Sequence, residues 1–265
     1  MKRRGRFAGL LLTLVLLVSC AFLPTSLPPP TVEPPTAIPP TEPPPPTETP
    51  IPPTETPLPT ETPAPTNTPL PEGVLFRDDF NGVLQPGWEW MNERPEKWRI
   101  TDDGWLEIRG DDPTLLGGGD QTNLLFRELP DGDFMITVHL KTDPYANFHQ
   151  SAILFYENQD NYVAINRGFC GPCKTGGNGF YFDYRVDGQM GQSYMVATKA
   201  TDIYLRLESS GQTISAYYAE EPDEWARLGR FGNFFRFKRV GIGVSNVNSG
   251  KELIGLFDFF EISRP

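Results

Sequence analysis

Two cysteines separated by two residues form the motif with the most evident chemistry. Cys170 and Cys173 have the Cys-x-x-Cys spacing of redox-active thiols, whose motif opens a helix that lowers the pKa of the first thiol. Here the glycine-rich residues 175–179 follow, and glycine costs about 1 kcal/mol relative to alanine in a helix. We therefore predict a local disulfide that braces a loop of an exported protein. Redox catalysis and reduced or metal-bound thiols are the alternatives.

Paired carboxylates would indicate a glycosidase, which needs two of them. The acidic residues 220–224 include Pro222, which indicates a turn between strands. Asp258 and Glu261 differ in parity on the last predicted strand, so we expect them on opposite faces. Two histidines are too few for a histidine-based metal site. No catalytic constellation is recognisable, and the sequence predicts a protein that is not an enzyme.

Asp79 and Asp258 are candidate metal ligands. They lie near the first and last predicted strands, and the terminal strands of a sandwich often pair. Carboxylate oxygens are the ligands that Ca²⁺ prefers, so a structural calcium site is one interpretation of the two residues. Turn capping by the same carboxylates is the other interpretation, which we favour.

A set of aromatic and polar side chains has the parity opposite to the predicted core. Its members are Tyr162, Asn166, Tyr181, Asp183, Arg185, Tyr204 and Arg206. If their strands are neighbours, they form a patch that mixes flat rings with hydrogen-bonding groups, which is what sugar recognition needs. Cross-strand packing on an exposed sheet face is the alternative.

The elements that position these residues are predicted to be strands. Apolar residues 152–156 and 162–165 flank the polar residues 157–161, a pattern typical of a hairpin. Both faces of this hairpin are apolar. It is therefore expected at the centre of a sheet whose second face is covered or forms a shallow groove.

The rest of the domain follows the same pattern. Residues 134–141, 203–208 and 240–245 alternate between apolar and other side chains, as strands with one core face do. Turns are indicated by three dipeptides, Asp131-Gly132, Asp187-Gly188 and Ser210-Gly211. No run has helical period. The fold class predicted is an all-β sandwich, formed by one domain over residues 73–265.

The N-terminus has the features of an export signal. A basic start precedes the apolar residues 7–18, a run too short to span a ~30 Å hydrocarbon core. Leu17-Val18-Ser19-Cys20 resembles a bacterial lipobox, in which the cysteine is lipidated. We predict a signal peptide over residues 1–19 and lipidation of Cys20; an ordinary secretory signal with an incidental cysteine is the alternative.

Residues 20–72 are predicted to be a disordered stalk. Residues 24–72 contain 21 of the 29 prolines, and proline removes backbone donors while little apolar mass offsets ordering. Extended polyproline II would give a reach on the order of 150 Å. We expect a semi-rigid Pro/Thr-rich spacer, with a proteolysable linker as the alternative.

Charge restricts the partners of the domain. Residues 73–265 contain 19 basic and 28 acidic side chains, with the basic ones scattered. This lacks the electrostatic footprint of a nucleic-acid binder. Anionic lipid would repel such a domain, so we expect membrane contact through the lipid anchor only.

Several motifs, taken in order, resemble a known family. They are residues 76–80, 84–90, Trp98, 104–108, 160–163, 204–208, Tyr217-Tyr218, Trp225 and 257–262. The series is similar to the concanavalin A-like β-sandwich at the C-terminus of family 43 β-xylosidases, and to the related DUF1349 domains. The resemblance implies a jelly roll of two antiparallel sheets, one of them concave. It also implies an accessory role beside a catalytic propeller, which we do not expect here because only signal and stalk precede residue 73.

These features together predict a function. We expect a monomeric extracytoplasmic lipoprotein, anchored to the cell membrane by N-terminal lipid, that displays a non-catalytic carbohydrate-binding domain. Its ligand would be a polysaccharide or cell-wall glycan. The alternatives are a glycosidase of concanavalin-like fold, whose carboxylates are not recognised, and a protein-binding or adhesion module.

Overall fold

Strands make up nearly all the regular structure of the part of the chain that the computed structural model describes, residues 70–110, 123–232, 237–246 and 250–265. The strands are β1 (Val74–Asp78), β2 (Glu89–Met91), β3 (Trp98–Ile100), β4 (Leu106–Arg109), β5 (Leu124–Glu128), β6 (Phe134–Thr142), β7 (Gln150–Asn158), β8 (Asn161–Cys170), β9 (Gly177–Val186), β10 (Gln189–Met190), β11 (Tyr194–Ala197), β12 (Asp202–Ser210), β13 (Thr213–Ala219), β14 (Ala226–Gly232), β15 (Arg239–Ser245) and β16 (Ile254–Ser263). The one helical element within these ranges is a 3₁₀ turn at Pro95–Lys97. The predicted all-β fold is confirmed.

The predicted N-terminal features cannot be compared with this structure. The signal (residues 1–19), Cys20 and the stalk up to residue 69 lie outside the described residues. Within the described ranges, no helix has the length and apolar character needed to cross a bilayer.

The strands form two antiparallel sheets. Sheet A has the order β14-β13-β12-β6-β16-β4-β3, with β1 also paired to β16. Sheet B has the order β10-β9-β8-β7-β15-β5-β2, with β11 also paired to β9. This is the predicted two-sheet antiparallel sandwich of jelly-roll type.

The predicted central hairpin is β7–β8. Tyr156 pairs with Tyr162 and Ile153 with Ile165 across it, and β15 and β9 flank it on either side within sheet B. Its side chains alternate between the two faces of the sheet. The hairpin is therefore confirmed as a central element.

The inner faces of the two sheets form the main core. Its fully buried members include Ile136 and Val138 from β6, Val163 and Ile165 from β8, and Leu205 from β12. Truncating a buried leucine or isoleucine of such a core to alanine costs roughly 2–5 kcal/mol. This packing holds sheets A and B together.

A second apolar cluster covers the outer face of sheet B. It consists of Leu124, Phe126, Ala152, Leu154, Tyr156, Tyr162 and Ala164, all buried. The rings of Phe126 and Tyr156 lie 5.2 Å apart, and a Cβ on Gly241 would come within 2.4 Å of the Phe126 ring. The Phe126 ring therefore lies against Gly241, a position without a side chain. The expectation that the second face of the hairpin is covered is confirmed for this part of the sheet.

One charged side chain, Arg167 of β8, is buried on the inner side of sheet B. Its guanidinium donates hydrogen bonds to the Ala200 carbonyl at 2.9 Å and to Asn178 Oδ1 at 2.8 Å. Burial lowers the pKa of Arg167. Carbonyl and amide oxygens, rather than a carboxylate, supply these two contacts of the buried cation.

A β-bulge in β16 overturns one expectation. The register with β6 shifts between Phe257 and Phe259, so parity changes within the strand. Asp258 then hydrogen-bonds with His139 at 2.8 Å and Glu261 accepts from Arg77 at 2.9 Å, both on the outer side of sheet A. The prediction that these two acids lie on opposite faces is wrong because the bulge adds one residue between them.

Asp78, at the end of β1, organises the connection to β2. Its buried carboxylate accepts hydrogen bonds from the backbone N–H groups of Phe80 and Gln85, both at 2.9 Å, and from Trp88 Nε1 at 2.8 Å. Trp88 then packs edge-on against Phe260 of β16, with ring centroids 4.8 Å apart. One carboxylate therefore fixes the loop that covers this end of the core.

Replacing Asp78 by alanine should lower the free energy of unfolding by about 3 kcal/mol, because the Trp88 indole N–H and two backbone donors lose their acceptor. The measurement is chemical denaturation monitored by tryptophan fluorescence. Asp79→Ala is the matched control, since the exposed pair that Asp79 makes with Arg77 contributes about 1 kcal/mol or less. Equal losses in the two variants would contradict this account of Asp78.

Candidate functional site

A pocket of about 300 Å³ opens on the outer face of sheet B, beside the cluster of flat rings. Its lining includes Asn166 from β8 and Tyr181 and Asp183 from β9. Asn166 and Tyr181 are direct partners across the two strands, so the sheet forms the floor. The remaining lining residues are Phe148, Gln150, Phe169, Cys170, Cys173, Met190, Ser193 and Met195.

Asn166 presents an unused hydrogen-bonding atom in this pocket. Its Nδ2 donates to Asp183 Oδ2 at 3.5 Å, while its buried Oδ1 has no partner. A Cβ on Gly168 would lie 2.7 Å from that oxygen, so the absence of a side chain at Gly168 leaves room for it. A buried acceptor without a donor is unfavourable for folding, and a bound hydroxyl would satisfy it.

Asp183 is the one carboxyl group among the described residues that line the pocket. Burial raises the pKa of Asp183, and hydrogen bonds with Ser193 and Asn166 act in the opposite direction. Burial of a carboxylate favours its neutral form. The hydrogen bonds that Asp183 receives therefore compensate only part of the cost of burying its ionised form.

Tyr181 supplies a fixed aromatic wall. Its hydroxyl donates to the Gly177 carbonyl and lies 2.6 Å from Thr175 Oγ1. Because the hydroxyl is engaged by this loop, the ring is held in place where it lines the cavity, with 5% of the residue exposed.

The predicted disulfide between Cys170 and Cys173 is confirmed, and it forms part of the pocket wall. The Gly171 N–H donates to Asn147 Oδ1 at 2.7 Å, which ties the loop to the segment before β7. The disulfide thus braces a loop, as predicted, and the structure adds that this loop borders the cavity.

Two predicted ligand-binding residues lie beside the pocket and do not line it. Tyr162 has no exposed surface; its hydroxyl is 3.4 Å from the Met190 sulfur. Burial, with a smaller contribution from the charge of Asp183, raises the pKa of Tyr162 to about 12. Arg185 makes an ion pair with Asp160 at 3.8 Å. Tyr162 therefore lies at one end of the pocket and is not available for stacking.

The prediction that all seven residues form one patch is wrong, because β12 belongs to sheet A. Tyr204 stacks on His139 with ring centroids 4.4 Å apart. The Arg206 guanidinium lies 3.8 Å from the centre of the Trp225 ring. These two side chains pack against neighbours on the outer face of the other sheet, which is the cross-strand alternative.

The two predicted calcium ligands have separate partners. Asp79 pairs with Arg77 at 2.7 Å, and Asp258 contacts His139 at 2.8 Å. Among the described residues, no group of three or more His, Cys, Asp or Glu side chains is placed to hold a metal ion. Calcium binding by Asp79 and Asp258 stays a prediction.

Sequence reasoning missed the residues of the pocket walls. Met190, Ser193 and Met195 belong to the segment that folds back after β9, where β10 and β11 both pair with it. The Asp187-Gly188 turn was recognisable, and a strand that returns after it would border Tyr181 and Asp183. Phe148, in the loop before β7, has no periodic pattern that could have identified it.

Comparison with known proteins places the fold in a family. Residues 77–261 match the family described as the β-xylosidase C-terminal concanavalin A-like domain. Among curated protein sequences, none matches the chain.

Several solved structures share the fold at low sequence identity. A variant of the GH43 protein BlXynB from Bacillus licheniformis has a TM-score of 0.64 at 20% identity, over 71% of this chain and 39% of that one. Xylan β-1,4-xylosidase from Bacillus halodurans C-125 has a TM-score of 0.61 at 16% identity, over 77% and 41%. A β-glucanase from Bacillus licheniformis has a TM-score of 0.53 at 12% identity, over 72% and 98%.

The chain thus spans about two fifths of the length of the BlXynB variant and of the xylan β-1,4-xylosidase. Identities of this size establish the fold alone. The family match, in contrast, covers most of the chain and all but the ends of the sandwich. The chain belongs to the family of β-xylosidase C-terminal concanavalin A-like domains.

Proposed function

We propose that this domain binds carbohydrate in the pocket on the outer face of sheet B and carries out no chemistry on it. The observation that carries the proposal is the pocket itself, where Asn166, Tyr181 and Asp183 converge in a cavity with apolar walls. Sites for small ligands combine apolar walls with a few polar groups that fix orientation. Sugars match this combination because they have apolar C–H faces and hydroxyl rims.

The polar groups suit hydroxyls more than charged ligands. Asn166 Oδ1 is a buried acceptor without a donor, and Asp183 is a carboxyl that accepts from Ser193 and Asn166. Two ligand hydroxyls can donate to these two groups, whereas an anionic ligand would meet Asp183 unfavourably. A neutral polyhydroxylated ligand is therefore favoured.

Absence of catalysis is part of the proposal. Glycoside hydrolysis needs two carboxyl groups that flank the scissile bond, and Asp183 is the one acid among the described lining residues.

A second candidate function, glycosidase activity, is favoured by one observation. Burial raises the pKa of Asp183, as a general acid requires, and measurement of released reducing sugar tests it.

We also propose that the chain is a monomeric extracytoplasmic lipoprotein. The basic start, the short apolar run and the Leu17-Val18-Ser19-Cys20 sequence support this, and several acyl chains on Cys20 would anchor the protein stably. The Pro-rich residues 24–72 would hold the sandwich away from the membrane.

Affinity electrophoresis of the full-length protein in detergent, with a panel of plant, storage and cell-wall polysaccharides, should show retardation without sugar release.

Asn166→Ala should weaken binding about tenfold, because it removes hydrogen bonds to ligand hydroxyls worth ~1–1.5 kcal/mol. Asn158→Ala, at the hairpin end of β7, is the control and should bind like wild type. No retardation with any polysaccharide would count against carbohydrate binding, and loss in EDTA would make calcium part of the site or the fold.

Asp183→Asn should raise the free energy of unfolding at pH 7 while weakening the same polysaccharide binding. The pKa of Asp183 is raised, so as pH increases the unfolded chain ionises first and the folded state loses relative stability. The gain in the free energy of unfolding of the variant should therefore shrink as pH falls to and below the ordinary aspartate pKa, because Asp183 of the wild type is then protonated in both the folded and the unfolded state. Denaturant titrations between pH 3.5 and 7 measure it, with exposed Glu157→Gln as the charge-matched control. A variant less stable than wild type at pH 7 would refute this assignment.

Cys20→Ser should abolish incorporation of labelled palmitate and move the protein out of the membrane fraction. The control is the double variant Cys170→Ser, Cys173→Ser, which keeps the lipidation site. Metabolic labelling followed by fractionation distinguishes the two. Label that persists in Cys20→Ser would rule out lipidation at this residue.

A further inference from the structure

The pocket is bounded along the direction of its floor strands. At one end, the Tyr162 hydroxyl contacts the Met190 sulfur at 3.4 Å. At the other end stands the loop closed by the Cys170–Cys173 disulfide. A groove for the middle of a polymer needs two exits, and this direction offers none.

The size of the cavity is also restrictive. Its volume of about 300 Å³ lies at the lower limit of small-molecule sites, which span roughly 300–1,000 Å³. A single sugar ring fits such a space, and a run of several linked rings does not.

Polarity changes with depth in the pocket. Asn166 is fully buried and Tyr181 is 5% exposed, whereas Phe148 and Met190 are 52% and 56% exposed. Of the described residues, only seven large hydrophobic side chains are exposed, and two of them line this one cavity. Asn166 is therefore deep, whereas the exposed part of the lining consists of the apolar Phe148 and Met190 together with Ser193.

Phe148 is held at the rim by an unusual backbone. Its φ is +66°, which is uncommon for a residue other than glycine, asparagine or aspartate. Its N–H donates to the Phe169 carbonyl at 2.9 Å, which fixes that conformation. Residues held in sparsely populated backbone conformations cluster at sites that contact ligands.

We propose that the pocket recognises the end of a glycan chain. The terminal sugar unit enters and hydrogen-bonds with Asn166 and Asp183, while Phe148 and Met190 contact the apolar face of the next unit at the rim. This inference rests on the proposed carbohydrate binding and adds to it the part of the polymer that is bound.

The test uses a polysaccharide that the full-length protein binds, partially hydrolysed into pools of decreasing mean chain length. Each pool competes with the intact polymer for the protein. For end recognition, the mass needed for half displacement falls in proportion to mean chain length, because the number of ends per mass rises. For recognition of internal segments, that mass stays constant or increases as fragments shorten, and this result would overturn the proposal. Absence of binding to the intact polymer would instead be a failure of carbohydrate binding itself.

Variants at the rim give an independent test. Phe148→Ala and Met190→Ala should each weaken binding of a disaccharide from that polymer about tenfold and weaken binding of the corresponding methyl glycoside less. Val83→Ala, which truncates an exposed side chain elsewhere, should change neither. Equal losses for both ligands would contradict a rim contact with the second unit. Thermal unfolding of each variant separates loss of contact from loss of fold.

Discussion

The hairpin β7–β8 is apolar on both faces, and the arrangement of sheet B depends on this constraint. One face fills the space between the sheets. The other face carries a buried cluster that includes the rings of Phe126, Tyr156 and Tyr162, and the Phe126 ring lies against Gly241. Removing this apolar area from water is favourable, and the side chains that bury it belong to sheet B itself. The cover ends where β8 and β9 carry Asn166 and Asp183, and the pocket lies there.

Two aspartates of this domain differ in how far their surroundings compensate the charge of the carboxylate. Asp78 accepts three hydrogen bonds, so its burial is compensated and it stabilises the loop before β2. Burial raises the pKa of Asp183, and its neighbour Asn166 has an acceptor without a donor. Groups that are unfavourable for folding and border a cavity are candidates for ligand contacts. The two residues also differ in exposure, because Asp78 is 1% exposed whereas Asp183 is partly exposed where it lines the pocket.

The features that depend on local sequence pattern could be predicted from the sequence. Alternation located the hairpin and the core strands, and the short spacing of Cys170 and Cys173 indicated a local disulfide. Alternation also shows which side chains point away from the core, but a sandwich has two outer faces, and parity does not distinguish them. Tyr204 and Arg206 were grouped with Asn166 and Asp183 for this reason, although β12 pairs with β6 and β13 in sheet A. Strand partnership is set by long-range packing, and a bulge such as the one in β16 leaves no simple mark in the sequence.

The same limit applies to the ligand. Solved structures with this fold at 12–20% identity establish the two sheets, but a sheet face can present either an open groove or a closed pocket. The choice depends here on a few residues outside the regular pattern. The contact of Met190 with Tyr162 bounds one end of the cavity, and the disulfide loop bounds the other. Phe148, in the segment before β7, adds an exposed apolar side chain to the lining and has a positive φ. Under the proposed function, specificity in this domain would therefore come from its loops and from the short strands β10 and β11, for which the sandwich serves as a rigid support.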